Sequence, residues 1–282
     1  MTAYLQLTKP RITLFIVIST AVGFICARRM AEPWIFFHAL LGTALLASGT
    51  AALNQWYERD ADAKMNRTKW RPIPSGRASA TGAFWFGTVL SLAGFADLWL
   101  GTNRLAAELG IFTLLSYLLA YTPLKRHSPH STTIGAIPGA MPPLIGFAAA
   151  AGRLNVQAWI LYCILFLWQF PHFYAIAWMY REDYARGGIR MLPVIEPDCE
   201  STARRIACYS FALFAVSLLP GFFGYAGNVY TAGALALGAW FLFTASRTVL
   251  SLTRTDARRL LLASIVYLPV LFGLLVLDHA RS

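Results

Sequence analysis

The sequence predicts an all-α polytopic membrane protein, one bundle of nine transmembrane helices forming a single domain over residues 1–282. Three observations predict it. Hydrophobic residues make up 57% of the chain and charged residues only 13%, where soluble domains carry about 45–50% and about 25%. Nine apolar runs approach the roughly 20 residues a helix needs to cross the hydrocarbon core. The basic residues then sort to alternate sides of those runs, as positive-inside topology requires.

In order, the runs are Ile12–Ala27, Trp34–Asn54, Gly82–Gly101, Leu105–Thr122, Ile134–Ala151, Val156–Tyr180, Ile206–Ala226, Tyr230–Ser246 and Leu260–Leu277. The first is followed by Arg28 and Arg29 rather than by a small-residue cleavage site, so a retained span is expected and not a signal peptide. With the N-terminus inside, the inner segments hold 19 of the 24 basic residues, and the outer ones are Arg28, Arg29, Arg104, Arg153 and Arg281. A miscounted span would mix the two sets, so the alternation supports nine crossings with the C-terminus outside. The net charge of +11 is therefore spread over short loops rather than gathered on one soluble patch, which argues against a nucleic-acid partner. Cys26, Cys163, Cys199 and Cys208 form no CxxC pair, so neither a zinc ribbon nor a redox motif is expected. The two longest inner loops, about 54–80 and 180–205, carry eight of the 13 acidic residues, which places the expected chemistry at the inner face.

The first acidic segment continues span two. Asn54, Glu58 and Asp62 are spaced i, i+4, i+8, and on a helix each step turns only about 40° further and rises about 6 Å. They form one stripe. Oxygen ligands in a row suit Mg²⁺, which takes carboxylates together with phosphate oxygens, and Arg67 and Arg71 follow as guanidinium forks for a diphosphate. A solvated, charge-balanced helix end would read alike in an isolated loop. Here Asn54 lies near the hydrocarbon boundary, where polar groups are costly and functional.

Span four ends in Tyr121-Thr-Pro-Leu-Lys125-Arg126. Lys125 and Arg126 suit a departing diphosphate, although ordinary positive-inside charge would look the same. Pro138, Gly139, Pro142 and Pro143 then fall inside span five and predict a broken helix, the kind that lines cavities. Span six reads Trp168-Gln169-Phe-Pro171-His172-Phe173, followed by Tyr180, Glu182 and Asp183. On a continuous helix Gln169, His172, Tyr180 and Asp183 occupy a sector of about 140°. Pro171 is expected to kink the helix or to end its first half. The plainer reading of His172 is a hydrogen-bonded packing residue; the other is an active-site wall. Glu182 and Asp183 are candidates for a second Mg²⁺, or interfacial carboxylates paired with Arg181 or Arg186.

In order and spacing, these segments resemble the UbiA superfamily of intramembrane prenyltransferases, and within it the branch that prenylates haem. The resemblance runs over nearly the whole chain, from Leu7-Thr-Lys9-Pro10-Arg11 to Met191-Leu-Pro193-Val194. Its most specific parts are Asn54xxxGlu58xxxAsp62 with Met65-Asn-Arg67-Thr68 and Arg71-Pro72, then Tyr121 to Arg126 with Ile134 to Ala140, then Trp168 to Phe173 with Asp183-Tyr184 and Gly187-Gly188. Glu58 stands where the superfamily usually has Asp, and the Gln169–His172 segment is less acidic than in quinone-forming relatives. The resemblance implies a UbiA-type bundle with a central cavity, farnesyl diphosphate and haem B as substrates, Mg²⁺ as cofactor, and haem O for haem-copper oxidases as product. It implies a multi-pass protein of the bacterial inner membrane, with haem A synthase or a terminal oxidase assembly as partner. Catalytic roles are implied for Asn54, Glu58, Asp62, Arg67, Lys125 and His172. Metal ligation is implied for Asn54, Glu58, Asp62, Asp183 and Glu182, and substrate binding for Arg71, Arg126, Tyr121, Trp168, Gln169, Phe173 and Tyr180. Two alternatives stand beside this one. A transporter would place its charges near the midplane between repeats rather than at one interface, and a quinone-type acceptor would call for a more acidic segment than Gln169-Phe-Pro171-His172.

Overall fold

The computed structural model describes residues 2–27, 32–196 and 198–279; Arg28, Arg29 and Arg281, three of the five basic residues expected outside, lie outside the described residues. The elements are α1 Thr2–Leu7, α2 Pro10–Ala27, α3 Pro33–Lys64, α4 Ala80–Gly101, α5 Arg104–Leu115 with a π-helical continuation Ser116–Tyr121, α6 Thr122–Leu124, α7 Ser131–Gly139, α8 Pro142–Ala151, α9 Val156–Met179, α10 Arg181–Arg186, α11 Leu192–Ile195, α12 Glu200–Phe222, α13 Asn228–Ser251 and α14 Arg254–His279. Among the described residues there is no strand, and nine helical segments are long and apolar enough to span a membrane. The protein is a multi-pass membrane protein.

The expected runs and the observed spans coincide, and their ends differ for physical reasons. α12 begins at Glu200 and α14 at Arg254, each about six residues before its apolar run. The extra turns carry Arg204, Arg205, Arg258 and Arg259, whose long stems keep the charge in the interface while the helix goes on. α3 is 32 residues long, about 48 Å at 1.5 Å per residue, against a hydrocarbon core of about 30 Å. Its last turns therefore leave the apolar region and carry the Asn54, Glu58, Asp62 stripe. Span five is broken, as its prolines require: α7 stops at Gly139, the Met141 N–H turns back to the Pro138 carbonyl, and α8 restarts at Pro142. α9 continues through Pro171, so this proline does not end the helix, although its missing N–H leaves the Leu167 carbonyl without a helical partner. Neither the short α1 nor the π segment was signalled by the apolar pattern.

Two buried clusters divide the bundle. One gathers Phe24, Leu46, Leu98, Leu144 and Phe147 from α2, α3, α4 and α8; the other gathers Phe170, Leu213, Phe241, Leu260 and Tyr267 from α9, α12, α13 and α14. Small residues set the closest helix approaches, as expected where lipid removes the usual hydrophobic drive. A Cβ on Gly146 of α8 would fall on the Thr20 carbonyl of α2, and one on Gly23 of α2 on the Pro143 carbonyl of α8. We expect Gly146→Val to cost about 3 kcal/mol or more by forcing two backbones apart. Gly273→Ala, where a Cβ meets nothing, serves as the control. Thermal unfolding in detergent micelles checks this; equal midpoints for the two variants would refute the packing account.

Candidate active site

The C-terminal end of α3, the α5–α6 turn and the α9–α10 junction bring the polar residues together. Asn54, Glu58 and Asp62 are all buried, at 1%, 8% and 0% exposure, as the single stripe expected from their spacing. Each meets a different partner. The Lys9 ammonium donates to Asn54 Oδ1 at 3.1 Å, and Asn54 Nδ2 donates to Thr122 Oγ1 at 3.3 Å. Lys125 Nζ lies 2.7 Å from Glu58 Oε1, and Arg71 donates to Asp62 Oδ2 at 2.7 Å. Asp62 Oδ1 is buried and has no hydrogen-bond partner among the described residues.

Local structure explains this convergence. Lys9 sits between α1 and α2 with φ of 48°, a left-handed turn that a Pro at the next position helps to fix by barring helix there. Gln55 Nε2 holds the end of α1 by donating to the Leu7 carbonyl at 2.9 Å. The loop after α3 folds back because the Thr68 hydroxyl donates to the Asp62 carbonyl at 3.0 Å, which returns Arg71 to the stripe. On α5 the π continuation adds residues to the turn before Thr122. Such bulges concentrate at functional sites. Here Tyr117 and Tyr121 meet edge to face at 4.9 Å, and the Lys125 ammonium lies 4.3 Å from the Tyr121 ring centre. The Arg190 N–H donates to the Lys125 carbonyl at 2.8 Å, tying the loop after α10 to this turn.

Two carboxylates thus face three cations, Lys9, Arg71 and Lys125. Burial, helped by the neighbouring Arg71 guanidinium, pulls the Lys9 pKa down to about 7. Burial also works against the charge on Lys125, but the Glu58 carboxylate more than offsets it and holds that pKa well above the lysine norm. Lys125 and Arg71 balance Glu58 and Asp62, so protonation of Lys9, favoured by an incoming anion, gives the cluster a positive surplus.

A second cluster adjoins the first. The Asp183 carboxylate accepts the backbone N–H groups of Asn66 and Arg67, each at 2.9 Å, and pairs with Arg186 at 2.5 Å. Burial opposes its ionisation, yet these donors keep its pKa below the aspartate norm. Arg67 lies over the rings of Tyr180 and Tyr184, at 5.2 and 5.4 Å, and donates to the Tyr184 hydroxyl. Asp183 therefore clamps the loop after α3 to α10. Glu182 beside it is exposed.

The polar residues of span six separate. Gln169, 4% exposed, donates to the carbonyls of Ala136 and Leu165 and fastens α9 across the broken span. His172 Nδ1 is 2.8 Å from Ser264 Oγ, Trp168 Nε1 donates to the Ser264 carbonyl, and the two rings stack at 4.6 Å. They face α14. Phe173 touches the His172 ring edge-on, and Arg126 is exposed at the end of its turn. Lys9, Tyr117, Thr122 and Ser264 were not among the expected site residues. Tyr117 could have been found, because it precedes Tyr121 by one helical turn. Lys9 had only its place before Pro10 to mark it.

Comparison with known proteins fits this geometry. The UbiA prenyltransferase family matches residues 16–269. A protoheme IX farnesyltransferase of Solibacter usitatus (strain Ellin6076) is 56% identical over 286 residues, covering 98% of each chain. Another from Koribacter versatilis (strain Ellin345) is 46% identical over 98% of this chain and 93% of its own. Among solved structures, a UbiA homolog from Archaeoglobus fulgidus bound to GPP and Mg²⁺ superposes with a TM-score of 0.63 at 17% identity, over 97% of this chain and 99% of that one. At that identity it speaks for the fold alone.

Proposed function

The chain belongs to the UbiA prenyltransferase family, and from that premise we propose that it carries the farnesyl group of farnesyl diphosphate onto a vinyl group of haem B, with addition of water, to give haem O. One observation carries the diphosphate half of this reading: a buried stripe whose two carboxylates are met by Arg71 and Lys125, with Lys9 on Asn54 as a third basic side chain and Asp62 Oδ1 left free. The haem half rests on the full-length relatives.

An orphaned carboxylate oxygen in a buried oxygen-rich stripe fits a hard divalent cation. Asp62 would hold Mg²⁺ through its free Oδ1, with Glu58 and Asn54 joining it as Lys125 and Lys9 give way, and the ion when bound supplies positive charge to the diphosphate oxygens. A second ion at Asp183 and Glu182 would have to take the place of Arg186.

Farnesyl diphosphate enters with its headgroup at the stripe. As its C1–O bond breaks, the electron pair stays with the departing diphosphate, and Lys125, Lys9, Arg71 and Arg67 stand where that charge grows. Fixed positive groups of this kind cost no reorganisation when the charge appears. The allylic cation keeps the apolar bundle around its chain and the π faces of Tyr117 and Tyr121 near its head. The vinyl π bond of haem B then forms the new C–C bond to C1, the positive charge passes to the vinyl carbon next to the ring, and water adds there and loses a proton. Until then the closed bundle must keep water out. His172 and Trp168, held by Ser264, form the wall against α14. We assign the cluster to the cytoplasmic face of a bacterial inner membrane, because the alternation of basic loops puts it on the positive side.

The test is expression in a bacterium lacking its own haem O synthase, followed by haem extraction and mass analysis. We expect haem O. Its absence from a well-inserted protein would remove haem as acceptor, and turnover of a quinone precursor with Mg²⁺ would replace it.

A further inference from the structure

A cleft of about 780 Å³ opens beside the Asn66–Arg67 loop, between the start of α10, the start of α12 and the turn joining α13 to α14. Its size falls within the range of small-molecule sites. Its lining includes three apolar side chains, with Trp178 buried, Met179 half-buried and Leu252 exposed in a left-handed turn at φ of 50°. Its rim carries four guanidiniums, Arg67, Arg181, Arg186 and Arg254. Of these only Arg186 is paired with a carboxylate among the described residues. Asp183 is fully engaged by its three donors, and the other acids of the rim, Glu182 and Asp198, are exposed. Arg181 and Arg254 are both exposed at the first residues of their helices. The diphosphate cluster does not use them.

Resting on the reading of haem B as acceptor, we propose that this cleft receives the propionate edge of the porphyrin, with Arg181 and Arg254 each taking one carboxylate. Haem is amphipathic: two propionates lie on one edge, and the vinyl groups lie away from it. A flat apolar body needs apolar side chains to lie against, and two carboxylates need two guanidiniums that no acid already holds, since Arg binds carboxylate as a fork. The cleft offers both. The order of groups also suits the reaction. The charged edge would stay at the aqueous face while the vinyl edge points inward past Arg67, whose backbone N–H is clamped by Asp183 beside the stripe.

The experiment uses the full chain in nanodiscs and reads haem B affinity by optical titration and haem KM by haem O formation, with farnesyl diphosphate KM as control. For Arg181→Gln with Arg254→Gln, haem affinity and KM should weaken at least tenfold while the farnesyl diphosphate KM holds, which also reports an intact fold. On the unaltered protein, haem B dimethyl ester, whose propionates are capped, should bind at least tenfold more weakly than haem B, and the double variant should no longer tell the two apart. Haem O formed with an unchanged haem KM in the variant would overturn the cleft and leave the prenyl transfer intact. Haem B and its diester binding equally to the unaltered protein would overturn the cleft as well. Haem B bound with the propionate dependence but no haem O made would uphold the cleft and sink the transfer reaction instead.

Discussion

Asp62→Asn should lower haem O formation roughly 10³-fold or more while the protein still inserts and folds. Loss of a single preorganised electrostatic contact costs about 10²–10³ in turnover, and Asp62 contributes two. Its Oδ2 orders Arg71 at 2.7 Å, and its Oδ1 is the buried oxygen without a partner. The amide keeps the size of the side chain and can still accept from Arg71 through its oxygen, so the loop fastened by Thr68 to the Asp62 backbone carbonyl should hold. What it loses is charge: one neutral donor–acceptor cannot bind a divalent cation as a carboxylate does. Metal dependence should therefore change with it. Haem O assayed against Mg²⁺ concentration should saturate for the native chain and stay flat for the variant. Turnover within tenfold of native, at the same Mg²⁺ requirement, would remove Asp62 from the metal site.

The stripe was legible because helix geometry converts i, i+4, i+8 spacing into one face, and because carboxylates at the end of an apolar span need partners, which here are Lys125 and Arg71. Broken span five was legible for a similar local reason, the four helix breakers between Pro138 and Pro143. What the sequence hid depends on long-range geometry. Lys9 reaches Asn54 only through a left-handed turn and the docking of α1 by Gln55. The π segment at Ser116–Tyr121 contains no Gly or Pro to announce it. The polar residues of span six were expected as one wall, but a sector of about 140° is wide enough to serve two neighbours. Gln169 turns to α7 and His172 to α14. Asp183 shows the same limit, because a carboxylate in a loop reads equally as a metal ligand or as the acceptor for two backbone N–H groups, and only the fold of the 65–79 loop supplies those donors.

The Glu58–Lys125 pair tests whether the cations of the site act on substrate or merely neutralise their own carboxylates. Both side chains are largely buried, 10% and 15% exposed. Lys125→Met should destabilise the protein by about 3 kcal/mol, because removing one partner leaves a buried charge uncompensated, and it should lower turnover roughly 10²–10³-fold. Adding Glu58→Gln removes the orphaned charge. Replacing both members of a buried pair is often close to neutral for stability, so the double variant should regain most of the lost unfolding midpoint in micelles. It should not regain turnover. A structural pair predicts that stability and activity return together; a pair whose lysine meets the departing diphosphate predicts that they part, since the double variant has neither the ammonium to receive the growing charge nor the carboxylate to help hold the metal. Recovery of haem O formation alongside the midpoint would reduce Lys125 to a counter-ion and shift the stabilisation of the leaving group to Arg71 and Lys9.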